Sequence, residues 1–440
     1  MVAQVSGFAF WEIGFDEQAH FLDRKAIDAM VAELPGQGLT DLIILSHGWN
    51  NDRRYARGLY ERLLGEIRGV LDAVALRKGA KLGAAGVYWP SMRWADESAP
   101  DNAGGGAASF AAPRSDKQTV EELKAVYPTA KQQRAIDELA RLLDERPDDP
   151  KELARFQTLM GALVTADDAT DDPDDNGELA LLEDDPQLVY ERFATAAPEA
   201  YDPDAGTAAG IGDLRQKLWE GAKNALRQAT YWEMKKRAGV VGQTGLGPLI
   251  GRLHEAQPGL RVHLVGHSFG ARLVSFALAG LPAGDPSPVK SLVLLQGAFS
   301  HFAFARSLPH APSRGGGLSG MAARVDGPLV VCYSVHDSAV GTLYPLASIS
   351  AGQDAAAMED RFFRWGAMGY DGAQAVSAAQ EPLRRVGQKY DFSPGKFLNL
   401  DGKDIVATGG PPAGAHSDIF HPEIAWAMLS AAGVANEGGK

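Results

Sequence analysis

A serine with glycine two positions away on each side, Gly266-His267-Ser268-Phe269-Gly270, follows the apolar run Leu260–Val265 and precedes the apolar stretch Ala271–Leu281. At a tight turn from strand to helix a serine is forced into a strained backbone conformation. The strain lifts its hydroxyl clear of the sheet, and the residues two places away must be small to pass the turn. The next backbone N–H is left free to bind an oxyanion. A serine hydroxyl near neutral pH is a poor nucleophile. It needs a base, and the base needs an orienting acid.

Asp337 supplies the acid. It follows the apolar run Leu329–Val335, in His336-Asp337-Ser338-Ala339-Val340-Gly341. A carboxylate at a strand end that opens a helix is held by backbone N–H groups and stays ionised. A plain helix cap is the other use of such a residue. The base is read as His416, in Gly414-Ala415-His416-Ser417-Asp418-Ile419, where a loop after the final strand can bring an imidazole over the serine. His421 is the rival, but His421-Pro422-Glu423 reads as the start of a helix with proline in its first turn. His263 lies within a strand and His267 is the variable position of the serine turn, so both read as structural. His301, His310 and His336 are weaker candidates.

The chain order Ser268, Asp337, His416 and the strand-end placements resemble the α/β-hydrolase superfamily of serine hydrolases, over about residues 1–94 and 213–435. Ser46-His47-Gly48-Trp49 matches that superfamily's His-Gly-X loop, and is similar to bacterial hydrolases with His-Gly-(Trp/Tyr)-Asn loops. The resemblance implies the backbone N–H groups of Trp49 and Phe269 as oxyanion donors. It also implies acyl transfer to water, a carboxylic ester being the commonest substrate, by a carboxylesterase or lipase-like enzyme without a cofactor. An amidase, peptidase or thioesterase would use the same three residues, and a non-catalytic binding protein could keep the fold. His47, Trp89 and Phe299 are candidate substrate contacts. For the aromatics at strand ends, core packing is the equal alternative.

These residues need a scaffold. Residues 7–15 and the runs Leu42–Leu45, Gly86–Trp89, Leu260–Val265, Ser291–Leu295, Leu329–Ser334 and Lys396–Leu400 read as strands. Helices are expected over Arg24–Leu34, from an Asn51 or Asp52 cap to about Ala75, along the face Leu214, Leu218, Ala222, Leu226, Ala229 and Trp232, and through Leu429. Strands alternating with helices predict an α/β fold, with a mainly parallel sheet covered on both faces. Residues 1–94 and 213–440 form the expected α/β-hydrolase core. Residues 95–212 read as an inserted, acidic helical cap, with apolar marks at Val120, Leu123 and Tyr127 and at Ile136, Leu139 and Leu142.

Within that block Asp172, Asp174, Asn176 and Glu183 satisfy the spacing of an EF-hand calcium loop. Pro173 inside the loop and Pro186 in the outgoing helix count against it, and a solvated acidic loop is the stronger reading. The 440 residues carry a formal net charge of −13, which disfavours nucleic acid or an anionic membrane as partner. A small-molecule ester is the expected partner. The single cysteine, Cys332, allows no intramolecular disulfide. No apolar stretch is long enough to span a bilayer, and the N-terminus lacks a basic n-region, so a cytoplasmic protein is expected.

Overall fold

Asp41–Ser46 is buried at every position, so a strand here has no face to turn to water and must be covered on both sides. The computed structural model sets it inside a nine-stranded sheet. Residues 2–49, 51–91, 115–163, 182, 184–196, 211–284, 286–341, 366–410 and 414–435 are described. The strands are β1 (Ala3–Val5), β2 (Phe8–Gly14), β3 (Asp41–Ser46), β4 (Leu82–Tyr88), β5 (Arg261–His267), β6 (Val289–Leu295), β7 (Leu329–Tyr333), β8 (Ala378–Pro382) and β9 (Phe397–Asp401). Their order is β1-β2-β4-β3-β5-β6-β7-β9-β8. Among the described strands only the β1–β2 pair is antiparallel. The expected α/β class and mainly parallel sheet are thus present.

Alternation along the strands feeds two cores. Leu42, Ile44, Val262, Leu264, Leu292, Leu294 and Val331 face one, while Ile43, Leu45, Val265, Val293, Leu295, Val330 and Leu400 face the other. The first core is closed by α1 (Arg24–Glu33), α7 (Ile211–Val240), α8 (Gly247–Ala256) and α9 (Phe269–Ala277). The second is closed by α2 (Arg53–Ala73) and α10 (Pro422–Ala431). Asp52, not Asn51, caps α2, its side chain accepting from the N–H groups of Arg54 and Tyr55.

Helices α3 (Asp116–Glu121), α4 (Ala130–Glu145), α5 (Pro150–Gly161) and α6 (Pro186–Ala196) come from the block read as inserted. Their apolar faces join the same core as α7 to α9. The boundary expected at residues 212 and 213 falls within the first turn of α7. This helix serves both parts. Near its start Trp219 packs edge-on against Phe156 of α5, and further along Tyr231 reaches Trp49 and Phe269. The candidate calcium residues Asp172, Asp174, Asn176 and Glu183 lie outside the described residues. Among the described residues no helix is long and apolar enough to cross a membrane, and no three His, Cys, Asp or Glu side chains gather as a metal site would require.

Candidate active site

In an open parallel sheet, chemistry collects beyond the carboxyl ends of the strands. Ser268 lies just past the end of β5, at φ 58° and ψ −124°. A non-glycine residue with positive φ costs about 1–3 kcal/mol and persists only where its surroundings enforce it. Here the enforcement is visible. The Ser268 N–H donates to Leu295 O at 3.0 Å, and the Ala298 N–H donates to Ser268 O at 3.2 Å, which ties the turn to the end of β6. The flanking glycines answer to separate clashes. A Cβ at Gly266 would lie 2.3 Å from Gly270 O, and one at Gly270 would lie 2.2 Å from Ser46 O.

The candidate base and acid arrive from distant segments. His416 Nε2 lies 2.8 Å from Ser268 Oγ, and His416 Nδ1 lies 2.7 Å from Asp337 Oδ2. A carboxylate can only accept, so Nδ1 carries the proton and Nε2 is left to accept from the serine hydroxyl. Asp337 is fully buried, and its Oδ1 accepts from the Val340 N–H at 3.2 Å. Each carboxylate oxygen thus has its own partner, the imidazole for one and the backbone for the other. His421, the rival base, is engaged elsewhere. Its Nε2 meets Asp418 Oδ1 at 2.8 Å, while Asp418 Oδ2 accepts from the Ala407 and Thr408 N–H groups.

The segment after β3 passes directly over the serine. A Cβ at Gly48 would fall 2.5 Å from Ser268 Cβ and 3.0 Å from Oγ, so only glycine lets this loop come so near. Trp49 follows, its ring edge-on to Tyr231 at 5.5 Å and 6.3 Å from Phe269. Phe269 opens α9, where a helix leaves its first N–H groups without intrahelical acceptors.

The candidate substrate contacts are placed differently. His47 is 1% exposed and fully partnered: its Nδ1 donates to Gly48 O at 2.9 Å, and its Nε2 accepts from the Trp89 N–H at 3.4 Å. Burial holds its imidazole down to about 4, so it stays neutral. Trp89 stacks on it at 5.7 Å and donates its indole N–H to His47 O. Phe299 is 0% exposed, in the core. These three side chains pack beneath the segment after β3 and in the core. Tyr231 was the residue the sequence did not mark out. It sits beside Trp232 on the buried face of α7, which reads as core.

A second serine–histidine–aspartate array shows why distances alone do not choose a site. His263 Nδ1 lies 2.9 Å from Ser291 Oγ, and His263 Nε2 lies 3.0 Å from Asp41 Oδ1. All three are buried near the starts of β5, β6 and β3. Ser291 sits within a strand, at the opposite end of the sheet from Ser268, with no turn to expose it. Burial would raise the Asp41 carboxyl, but hydrogen bonds from His263 and Thr40 and the Arg77 charge bring it below the usual range. This is a structural network, in keeping with the reading of His263. Neither family models, curated proteins nor solved structures gave a match to this chain.

Proposed function

We propose that this chain is a serine hydrolase of α/β-hydrolase type that cleaves a carboxylic ester through an acyl-enzyme. One observation carries the reading: an unbroken hydrogen-bonded line runs from Ser268 Oγ through His416 to the buried Asp337, and it starts at a strained turn. In the proposed reaction Ser268 Oγ attacks the ester carbonyl and its proton passes to His416 Nε2. The Trp49 and Phe269 N–H groups receive the oxyanion. His416 then protonates the departing alcohol, and water repeats the sequence to release the acid. Asp337 keeps the proton-bearing Nδ1 fixed and stabilises the imidazolium as it forms.

The helices of residues 95–212 are proposed to govern access and selectivity, and the support is Tyr231. Through it α7, which packs on those helices, touches the residue that would donate to the oxyanion. A panel of p-nitrophenyl esters of increasing chain length tests the reading, with the corresponding anilides and thioesters alongside. Ester turnover that disappears in Ser268→Ala supports it. Anilide or thioester turnover alone would move the protein to the other acyl-transfer classes. A folded protein inert to all three would leave the fold without this chemistry.

A further inference from the structure

We propose that His267 is a positioning residue: its Nε2–H, donated to the main-chain carbonyl of His416, holds the base over Ser268. The inference rests on the hydrolase reading above and extends it to a residue that touches neither substrate nor reacting atoms.

The geometry is specific. His267 Nε2 lies 2.8 Å from His416 O, and the two imidazole rings lie 5.0 Å apart at 42°. A carbonyl only accepts, so Nε2 bears the proton. His267 is 4% exposed, and its Nδ1 has no hydrogen-bond partner among the described residues. A buried imidazole nitrogen without a partner is costly, and a plain packing role would be filled better by an apolar side chain. The retained polar function is the Nε2–H. Among the described residues no backbone N–H donates to the His416 carbonyl, so this side chain satisfies it.

The loop that carries the base is pinned on its other flank as well. The Ala415 N–H donates to His336 O at 2.9 Å. The residue before the acid thus grips Ala415, and the residue before the serine grips His416. The base is registered against both partners by their immediate neighbours in sequence. Burial first, and then the nearby His416 ring, lower the His267 imidazole to about 3, so this donor stays neutral across the working range. A second positive charge beside the imidazolium of His416 is thereby avoided.

The test compares the parent protein with His267→Leu, His267→Gln and His267→Asn, following acylation by p-nitrophenyl acetate in the stopped flow. Leucine keeps the volume and removes the donor. Glutamine can place an amide N–H where Nε2–H was, and asparagine falls one bond short. His267→Leu is expected to lower kcat by roughly 10–100-fold with KM changed less than about twofold, since small displacements of a reacting group carry penalties of this size. His267→Gln should recover most of the loss and His267→Asn little of it. If leucine prevents folding, the glutamine–asparagine pair carries the comparison. Equal kcat in all folded variants, or equal losses in glutamine and asparagine, would overturn the proposal. On the parent protein, ring 15N NMR should show His267 as the neutral Nε2–H tautomer from pH 5 to pH 9; a proton on Nδ1 would also overturn it. Failure of the underlying reading looks different, because the parent itself then shows no acylation of Ser268, which removes both.

Discussion

Asp337 gives one carboxylate oxygen to His416 Nδ1 at 2.7 Å and the other to the Val340 N–H at 3.2 Å. The division matters because the cap fixes the carboxylate plane, and the fixed plane selects the His416 tautomer. Asp337→Asn can keep the cap through its amide oxygen while its NH2 faces Nδ1. The imidazole must then turn its proton toward Ser268. We expect kcat on an ester to fall by roughly 10³–10⁴-fold, with melting temperature changed far less. Parallel kinetics and calorimetry check this. A large melting shift with little kinetic loss would assign Asp337 to capping alone.

His421 and His416 make opposite predictions. His421 is paired with Asp418, so His421→Ala should cost roughly 1 kcal/mol of stability and leave kcat within about threefold of the parent. His416→Ala should abolish turnover to near the level of Ser268→Ala. Ester hydrolysis by both variants at one pH separates them, and reversed results would exchange the two histidines.

Gly48 lies against Ser268 so closely that a methyl group there would meet the serine Cβ at 2.5 Å. Gly48→Ala must therefore push the segment after β3 off the serine. Labelling by a fluorophosphonate is expected to slow by more than about tenfold, because donors moved from the oxyanion position forfeit its stabilisation. Labelling at the parental rate would show that the loop can give way without consequence.

Three buried histidines are expected to weaken the fold in acid. His47 is lowered from 6.5 to about 4 and His267 from 6.5 to about 3, in both cases chiefly by burial, and burial lowers His263 in the same sense. As pH falls through 6.5 the unfolded chain takes up these protons first, so stability is complete above that pH and is lost below it. Between pH 6.5 and pH 5 the expected loss is about 1.5 kcal/mol for each of His47 and His267. Urea midpoints at pH 7.5 and pH 5 check the sign, and unchanged or higher stability at pH 5 would contradict it.

The serine turn was legible because its geometry restricts residue types at fixed offsets, and the runs around Leu42–Leu45 and Leu329–Ser334 because a fully buried strand must be apolar throughout. β8, Ala378–Pro382, left no such trace, being an edge strand exposed at most positions. The early half of β4 was hidden by Gly83-Ala84-Ala85-Gly86, which is small because large neighbours fill the space. A Cβ at Gly83 would meet Leu39 at 2.4 Å, and one at Gly86 would meet the Tyr60 ring at 2.6 Å. The π-helical turn at Val241–Leu246 likewise follows from tertiary packing, since Gly242 abuts Leu273 O and Gly280 abuts Gln243 O. Trp89 and Phe299 show the limit at the site. An aromatic at a strand end reads equally as pocket or core, and both side chains are buried.

Ser268 as an activated nucleophile is the part of the proposal on which the rest depends. The decisive measurement is peptide mass spectrometry after brief treatment of the folded protein with a fluorophosphonate. One adduct per chain is expected, on the peptide bearing Ser268, absent in Ser268→Ala and strongly slowed in His416→Ala. An unmodified Ser268 in folded protein, or an adduct that persists in Ser268→Ala, would contradict it.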